Sequence, residues 1–154
     1  MHPLVIVAAS FVLMEPVTAL THRFVMHGVG RALHRSHHRD GSVGFEANDA
    51  FPVMFAALVM VGLAVGFNVD GWSSLVPIGI GITAYGVSYA LVHDVYIHRR
   101  VNVPAIGHRR VPGLQHLAAA HRVHHQGNGA PYGMLMPVIG RRKGSRPSQR
   151  PDDA

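Results

Sequence analysis

Three long apolar runs, 3–21, 51–69 and 75–92, constrain this chain more than any other feature, and Glu15 is the only charged residue in them. At about 1.5 Å of rise per residue, roughly 20 residues cross the hydrocarbon core of a bilayer, so each run is just long enough to span. Pro16 is expected to kink the first span, with neighbouring helices re-satisfying the freed backbone. Only 14% of the chain is charged, against about 25% for soluble domains. The expected fold is an all-α integral membrane protein with three to four transmembrane helices. Residues 1–140 are read as one domain, and the basic run 141–154 as a tail with the composition of disorder.

All fourteen Lys and Arg lie in 23–39 or 99–150. Three spans place both stretches on one side of the membrane. The excess of basic residues makes that side cytoplasmic and leaves the N-terminus outside. The basic charge of 141–154 is read as contact with anionic lipid headgroups, and no nucleic-acid partner is expected. The first run has no basic leader and no small-residue cleavage site, so it is expected to stay as a span. Cysteine is absent, which excludes disulfides and thiolate metal ligands.

The cytoplasmic stretches carry a duplicated histidine pattern. His-x-x-x-x-His occurs at His22/His27 and again at His93/His98. His-x-x-His-His follows each, at His34, His37, His38 and at His121, His124, His125. These boxes hold ten of the thirteen histidines. In His-x-x-His-His the rings stand at i, i+3 and i+4, which on a helix predicts a facial set of three imidazoles aimed at one point. Positions i and i+5 are about 140° apart on an α-helix, so the other pairs are expected to straddle the span ends and to flank two metals. Ten imidazoles are too many for one ion. Two ions with about five ligands each match the count, and imidazole suits iron, zinc, copper or nickel. The pattern predicts a dinuclear site within a histidine-rich helical cap just under the bilayer surface.

Several residues near the boxes admit two readings. Glu15 is either a ligand-orienting or helix-packing group, or else a direct ligand or proton relay. Asp49, with Asn48, is read chiefly as the cap of the second span and alternatively as a ligand. Asp94 could orient the His93 ring. Gly79, Gly81 and Gly86 are read as close helix packing rather than room for a ligand, and Trp72 as an interfacial anchor. Asp40-Gly41-Ser42 breaks one helical run. Residues 99–120 read as a loop until a helix starts near Leu114, while Tyr132–Val138 is a short apolar segment. Arg99, Arg100, Arg109 and Arg110 form a basic surface for an acidic electron donor or for lipid headgroups. His2, His108 and His116 lie outside the boxes and are read as non-ligands.

With the boxes placed on spans, the chain resembles the histidine-box membrane di-iron hydroxylases and desaturases, the fatty acid hydroxylase and sterol desaturase superfamily, and within it the bacterial carotenoid-ring hydroxylases. The matching stretches are Leu20 to Gly28, the His34 box, Asn48-Asp49, Val92-His93-Asp94 with His98, and Ala120 to His125. The resemblance covers most of residues 11–138. The chain departs from it at Ile106 to Gly113 and at Pro131-Tyr132, both away from the boxes.

The resemblance implies an O2-dependent monooxygenase of a bacterial inner membrane, hydroxylating the 3-position of the β-ionone rings. The ten box histidines would ligate two Fe ions, with Zn possible in purified samples. Electrons would come from reduced ferredoxin or an NAD(P)H reductase system. Redox-inert zinc could not drive the oxidation of an unactivated C–H bond. A carotenoid would enter laterally from the bilayer, with Phe24, Tyr85 and Tyr89 as candidates for lining its channel. Two other readings stay open: a hydroxylase or desaturase acting on a sterol or acyl lipid, and a non-catalytic metal-binding or metal-transporting membrane protein.

Overall fold

The computed structural model describes residues 1–38, 44–101, 103, 111–127 and 129–136. Among these residues regular structure is helical throughout. Helix α1, Pro3–Leu20, starts with proline in its first turn, where a missing N–H costs nothing. The His2 ring caps it, accepting from the Leu4 amide at 3.3 Å. The helix is continuous through Pro16 and passes without a break into a π-helical segment, Thr21–Val29. The apolar rod Pro3–Val29 is therefore 27 residues long. It ends where Gly28 leaves helical geometry, and a short α2, Arg31–His34, follows.

A 3₁₀ turn, Ala47–Asp49, leads into α3, Ala50–Asn68. The turn to α4, Leu75–Ala90, needs a left-handed residue, supplied by Gly71 at φ +83°. α4 then continues into a second π-helical segment, Leu91–Ile97. The last helix, α5, is Pro112–Gly127. Pro112 and Gly113, expected in a loop, form its first turn, a position proline tolerates well.

Among the described residues three helices are long and apolar enough to cross a membrane: Pro3–Val29, Ala47–Asn68 and Leu75–Ile97. α4 packs against both α1 and α3. Its approach to α1 is close, because a Cβ at Gly81 would meet the Val7 carbonyl oxygen and, at 2.8 Å, the Ser10 Cβ. Gly79 is filled similarly by Leu63 of α3, while Gly86 faces open space. Outward side chains are large and apolar, with Leu58 64% exposed and Phe67 70%. Such a surface is stable only against hydrocarbon. Among the described residues the chain is an all-helical membrane protein of three spans, and its ten box histidines gather at one end of them. The expected break at Asp40-Gly41-Ser42, residues 102 and 104–110 of the expected loop, the end of the Tyr132–Val138 segment and the tail 141–154 fall outside the described residues.

Candidate metal centre

The ten box histidines come together from the two π-helical segments and the residue after the second, from the end of α2 and the turn after it, and from α5, into two adjoining clusters. In the first, ring nitrogens of His22, His27, His34, His38 and His124 all lie within 4.8 Å of one another; in the second, those of His37, His98, His121 and His125 do so. His93 adjoins the second, its Nε2 3.0 Å from that of His37. Six rings are buried, and His124 has no exposure at all.

The clusters interleave. His34 and His38 share the first cluster, but His37, between them, enters the second. His121 and His125 share the second, but His124 enters the first. This corrects the expected facial triplet. Positions i and i+4 overlie one another on a helix, whereas i+3 and i+4 differ by about 100° in azimuth. A box thus holds two rings over one point and sends its third sideways.

The His-x-x-x-x-His pairs do lie at the span ends, as expected, but each pair serves one cluster rather than flanking two metals. They sit on the π-helical extensions of the spans, where hydrogen bonds run from i to i+5. The His98 amide donates to the His93 carbonyl at 2.9 Å, and Gly30 donates to Val25 at 2.8 Å. In such a turn the residue at i+5 stands to i much as i+4 does in an α-helix. The rings of His22 and His27 are accordingly 5.1 Å apart, and those of His93 and His98 4.6 Å.

For five of the imidazoles the outer ring nitrogen is engaged, which leaves the other nitrogen to face the cluster. His22 Nδ1 donates to the Tyr132 carbonyl at 3.1 Å, and His124 Nδ1 to the Gly129 carbonyl at 2.5 Å. His34 Nδ1 pairs with Asn48 Oδ1 at 2.7 Å, His37 Nδ1 with Glu46 Oε1 and His93 Nδ1 with Asp94 Oδ1, both at 2.9 Å. A neutral ring that donates through Nδ1 presents a bare lone pair at Nε2. Yet His22 and His34 bring those atoms to 3.0 Å, as do His37 and His93. Two lone pairs at that separation repel unless a cation lies between them. In addition, His125 Nε2 is buried without a hydrogen-bond partner. The donor set fits metal ions, and oriented second-sphere acceptors of this kind accompany metal-bound histidines.

Seven rings outside the spans are held neutral, as ligation requires. Burial, then the neighbouring imidazoles, lowers His38 to about 4, His98 to about 3 and His125 to about 2. His34, His37, His121 and His124 are shifted downward as well, burial being the largest cause in each.

Behind the acceptors stands Arg100. Its guanidinium binds both Asp49 oxygens, at 2.8 and 2.7 Å, and lies 3.3 Å from Asp94 Oδ1 and 3.4 Å from Glu46 Oε1. These bonds hold Asp49 below the usual carboxylate range and Arg100 firmly protonated. Asp49 makes no side-chain bond to the first turn of α3; it accepts from the Glu46 amide at 2.9 Å instead. It therefore reaches the second cluster through Arg100. With its side chain only 10% exposed and engaged by carboxylates, Arg100 is not part of a docking surface.

Glu15 holds the segment that closes the first cluster. It is 5% exposed and accepts from the Tyr85 hydroxyl at 2.7 Å, from the Leu135 amide at 3.1 Å and from the Met136 amide at 2.9 Å. Gly133 fits against it, since a Cβ there would lie 2.6 Å from Glu15 Oε1. The Tyr132–Met136 stretch thus folds back over the first span end rather than lying free at the interface. It carries the carbonyl that orients His22.

The three channel candidates lie in different surroundings. Phe24 is 61% exposed with the Arg23 guanidinium over its ring. Tyr85 is buried between α1 and α4, its hydroxyl engaged by Glu15 and Thr18. Tyr89, half-buried, has its ring 4.9 Å from that of His93. His116 is exposed on α5, whereas His108, Arg109 and Arg110 lie outside the described residues. Asn48, Glu46, Arg100 and the Gly129 and Tyr132 carbonyls had no sequence signal as site groups beyond the Asn48-Asp49 pair. They act through local folding that the histidine spacing does not encode.

Among the described residues the fold and site are those of a helical membrane protein with two polyhistidine clusters, and the model of the fatty acid hydroxylase family matches residues 7–145. The chain belongs to that family. Among its relatives is the beta-carotene hydroxylase of Pseudescherichia vulneris, 43% identical over 120 residues, covering 78% of this chain and 66% of the relative. That of Pantoea ananas is 40% identical over 123 residues, with the same coverage. The chloroplastic beta-carotene 3-hydroxylase of an Oncidium hybrid cultivar is 40% identical over 131 residues, 82% of this chain and 42% of the relative. The chain spans just under two thirds of the length of the two bacterial relatives and about two fifths of the plant one. No solved structure matches.

Proposed function

We propose that the chain is a carotenoid-ring monooxygenase, hydroxylating the 3-position of β-ionone rings in beta-carotene to give zeaxanthin by way of cryptoxanthin. One observation carries this reading: ten imidazoles in two interleaved clusters at the end of three apolar spans, in a chain 36–43% identical to proteins named for that reaction. The ten ligands are His22, His27, His34, His38 and His124 at one ion and His37, His93, His98, His121 and His125 at the other. Iron bound there would supply the activation of O2 needed to attack an unactivated C–H bond.

The protein's own part is positional. Nδ1 donors and their acceptors fix the rings of His22, His34, His37, His93 and His124, burial keeps the rings outside the spans neutral, and the packed cap excludes water. A C40 hydrocarbon dissolved in the bilayer reaches the clusters laterally, where the spans meet the cap. Tyr89, against His93, stands where such a chain would arrive. Electrons are supplied by a ferredoxin-type or NAD(P)H-linked donor. Of the four arginines read as a basic surface, exposed Arg99 stays a candidate to receive it, together with Arg109 and Arg110. The boxes face the cytoplasm of a bacterial inner membrane, because every Lys and Arg lies on their side.

Expression in a beta-carotene-producing bacterium, followed by pigment extraction, tests this. Hydroxylated carotenoid is expected, and absent with His124→Ala. An unchanged pigment profile, with protein in the membrane and iron supplied, would reject it. The family match also favours acyl-lipid hydroxylation as a second reading, which lipid analysis of the same cells would reveal.

A further inference from the structure

The two clusters differ in what stands behind their rings. On the first, the acceptors are neutral: the Tyr132 carbonyl for His22, Asn48 Oδ1 for His34 and the Gly129 carbonyl for His124. On the second they are carboxylates: Glu46 for His37 and Asp94 for His93. The His37–Glu46 pair is almost fully buried, with side chains 2% and 4% exposed. A carboxylate acceptor makes an imidazole a stronger donor, and its charge attracts a cation across a poorly screening interior. Arg100 offsets part of that charge. Among the described residues, however, one guanidinium meets three carboxylates there, those of Glu46, Asp49 and Asp94.

We propose that the two metal positions are inequivalent: the second cluster takes up its ion first and keeps it when the first has been stripped. Glu46 and Asp94 are positioning residues that act through His37 and His93, and Arg100 holds both carboxylates at one point. The inference rests on the reading of both clusters as metal sites.

The test is a titration of the full chain in detergent, stripped by a chelator, with Zn²⁺ in competition with a chromophoric chelator. Wild-type protein should take up Zn²⁺ in two steps separated by about tenfold or more. Glu46→Gln keeps the acceptor oxygen and removes the charge. It should weaken the tight step by about 10–100-fold, the usual cost of losing an outer-sphere partner, and leave the weak step in place. Asn48→Asp makes the opposite change behind His34 and should tighten the weak step, closing the gap. His121→Ala should remove the tight step and His124→Ala the weak one.

Equal steps in the wild type, a Glu46→Gln effect on the weak step, or no gain from Asn48→Asp would each overturn the inequivalence while leaving the metal pair intact. Absence of stoichiometric uptake by the wild type would overturn the metal reading itself. Helical circular dichroism accompanies each variant, and if Glu46→Gln loses its helicity the gain from Asn48→Asp decides.

Discussion

His37 and His124 each serve the cluster that the rest of their own box does not. Each is therefore a tie between the two halves of the chain as well as a candidate ligand. Replacing His124 with alanine should remove the ion of the first cluster and spare that of the second, although every other member of the first cluster precedes α3 in sequence; metal analysis of the purified variant checks this. Glu15 acts at the same scale. Glu15→Leu would leave the part-buried amides of Leu135 and Met136 without their acceptor, at on the order of 1 kcal/mol each. The variant is expected to melt at lower temperature and to retain metal poorly in the first cluster. Gly133→Ala should weaken the same contact more mildly. An unchanged midpoint for both would show that the 129–136 segment is not held by this carboxylate. The candidate ligands were legible in the sequence, because imidazoles repeated in register announce themselves by chemistry. Arg100 was not: a lone arginine after a span reads equally as surface charge, and only the folded turn brings Glu46, Asp49 and Asp94 around it.

Among the elements, the spans were legible and the winding of their ends was not. Runs of apolar residues locate a membrane helix directly, whereas a π turn differs from an α turn only in a hydrogen-bond register that no composition records. The five-residue spacing was itself the sign. His22/His27 and His93/His98 can share a face if the helix widens, and both do so where a span leaves the apolar layer. Inserting one alanine between Val25 and Met26 should carry His27 away from His22 and His124. The insertion is expected to abolish metal uptake by the first cluster alone, as read by the Zn²⁺ titration. Loss of both steps would mean that the π segments position the cap as a whole rather than one pair of rings.

At the level of the whole molecule, the apolar exterior of three spans and the buried polar cap need different surroundings, and the centre lies where these meet. Assembling so many neutral imidazoles has a cost that depends on pH. In the unfolded chain His38 takes up a proton near its ordinary 6.5, but in the fold only near 4. His98 extends the window to about 3. Below 6.5 the unfolded state binds more protons, so stability falls as the pH drops toward those values and levels off beneath them. The thermal midpoint of chelator-stripped protein should therefore decline between about pH 7 and pH 5. A midpoint that held constant or rose would show that the rings are not neutral in the fold.

Iron content per chain, measured on protein purified from iron-replete cells, tests the paired centre most directly. Two ions per chain are expected, falling to one in His124→Ala. One ion or none in a wild-type protein with intact helicity would contradict it.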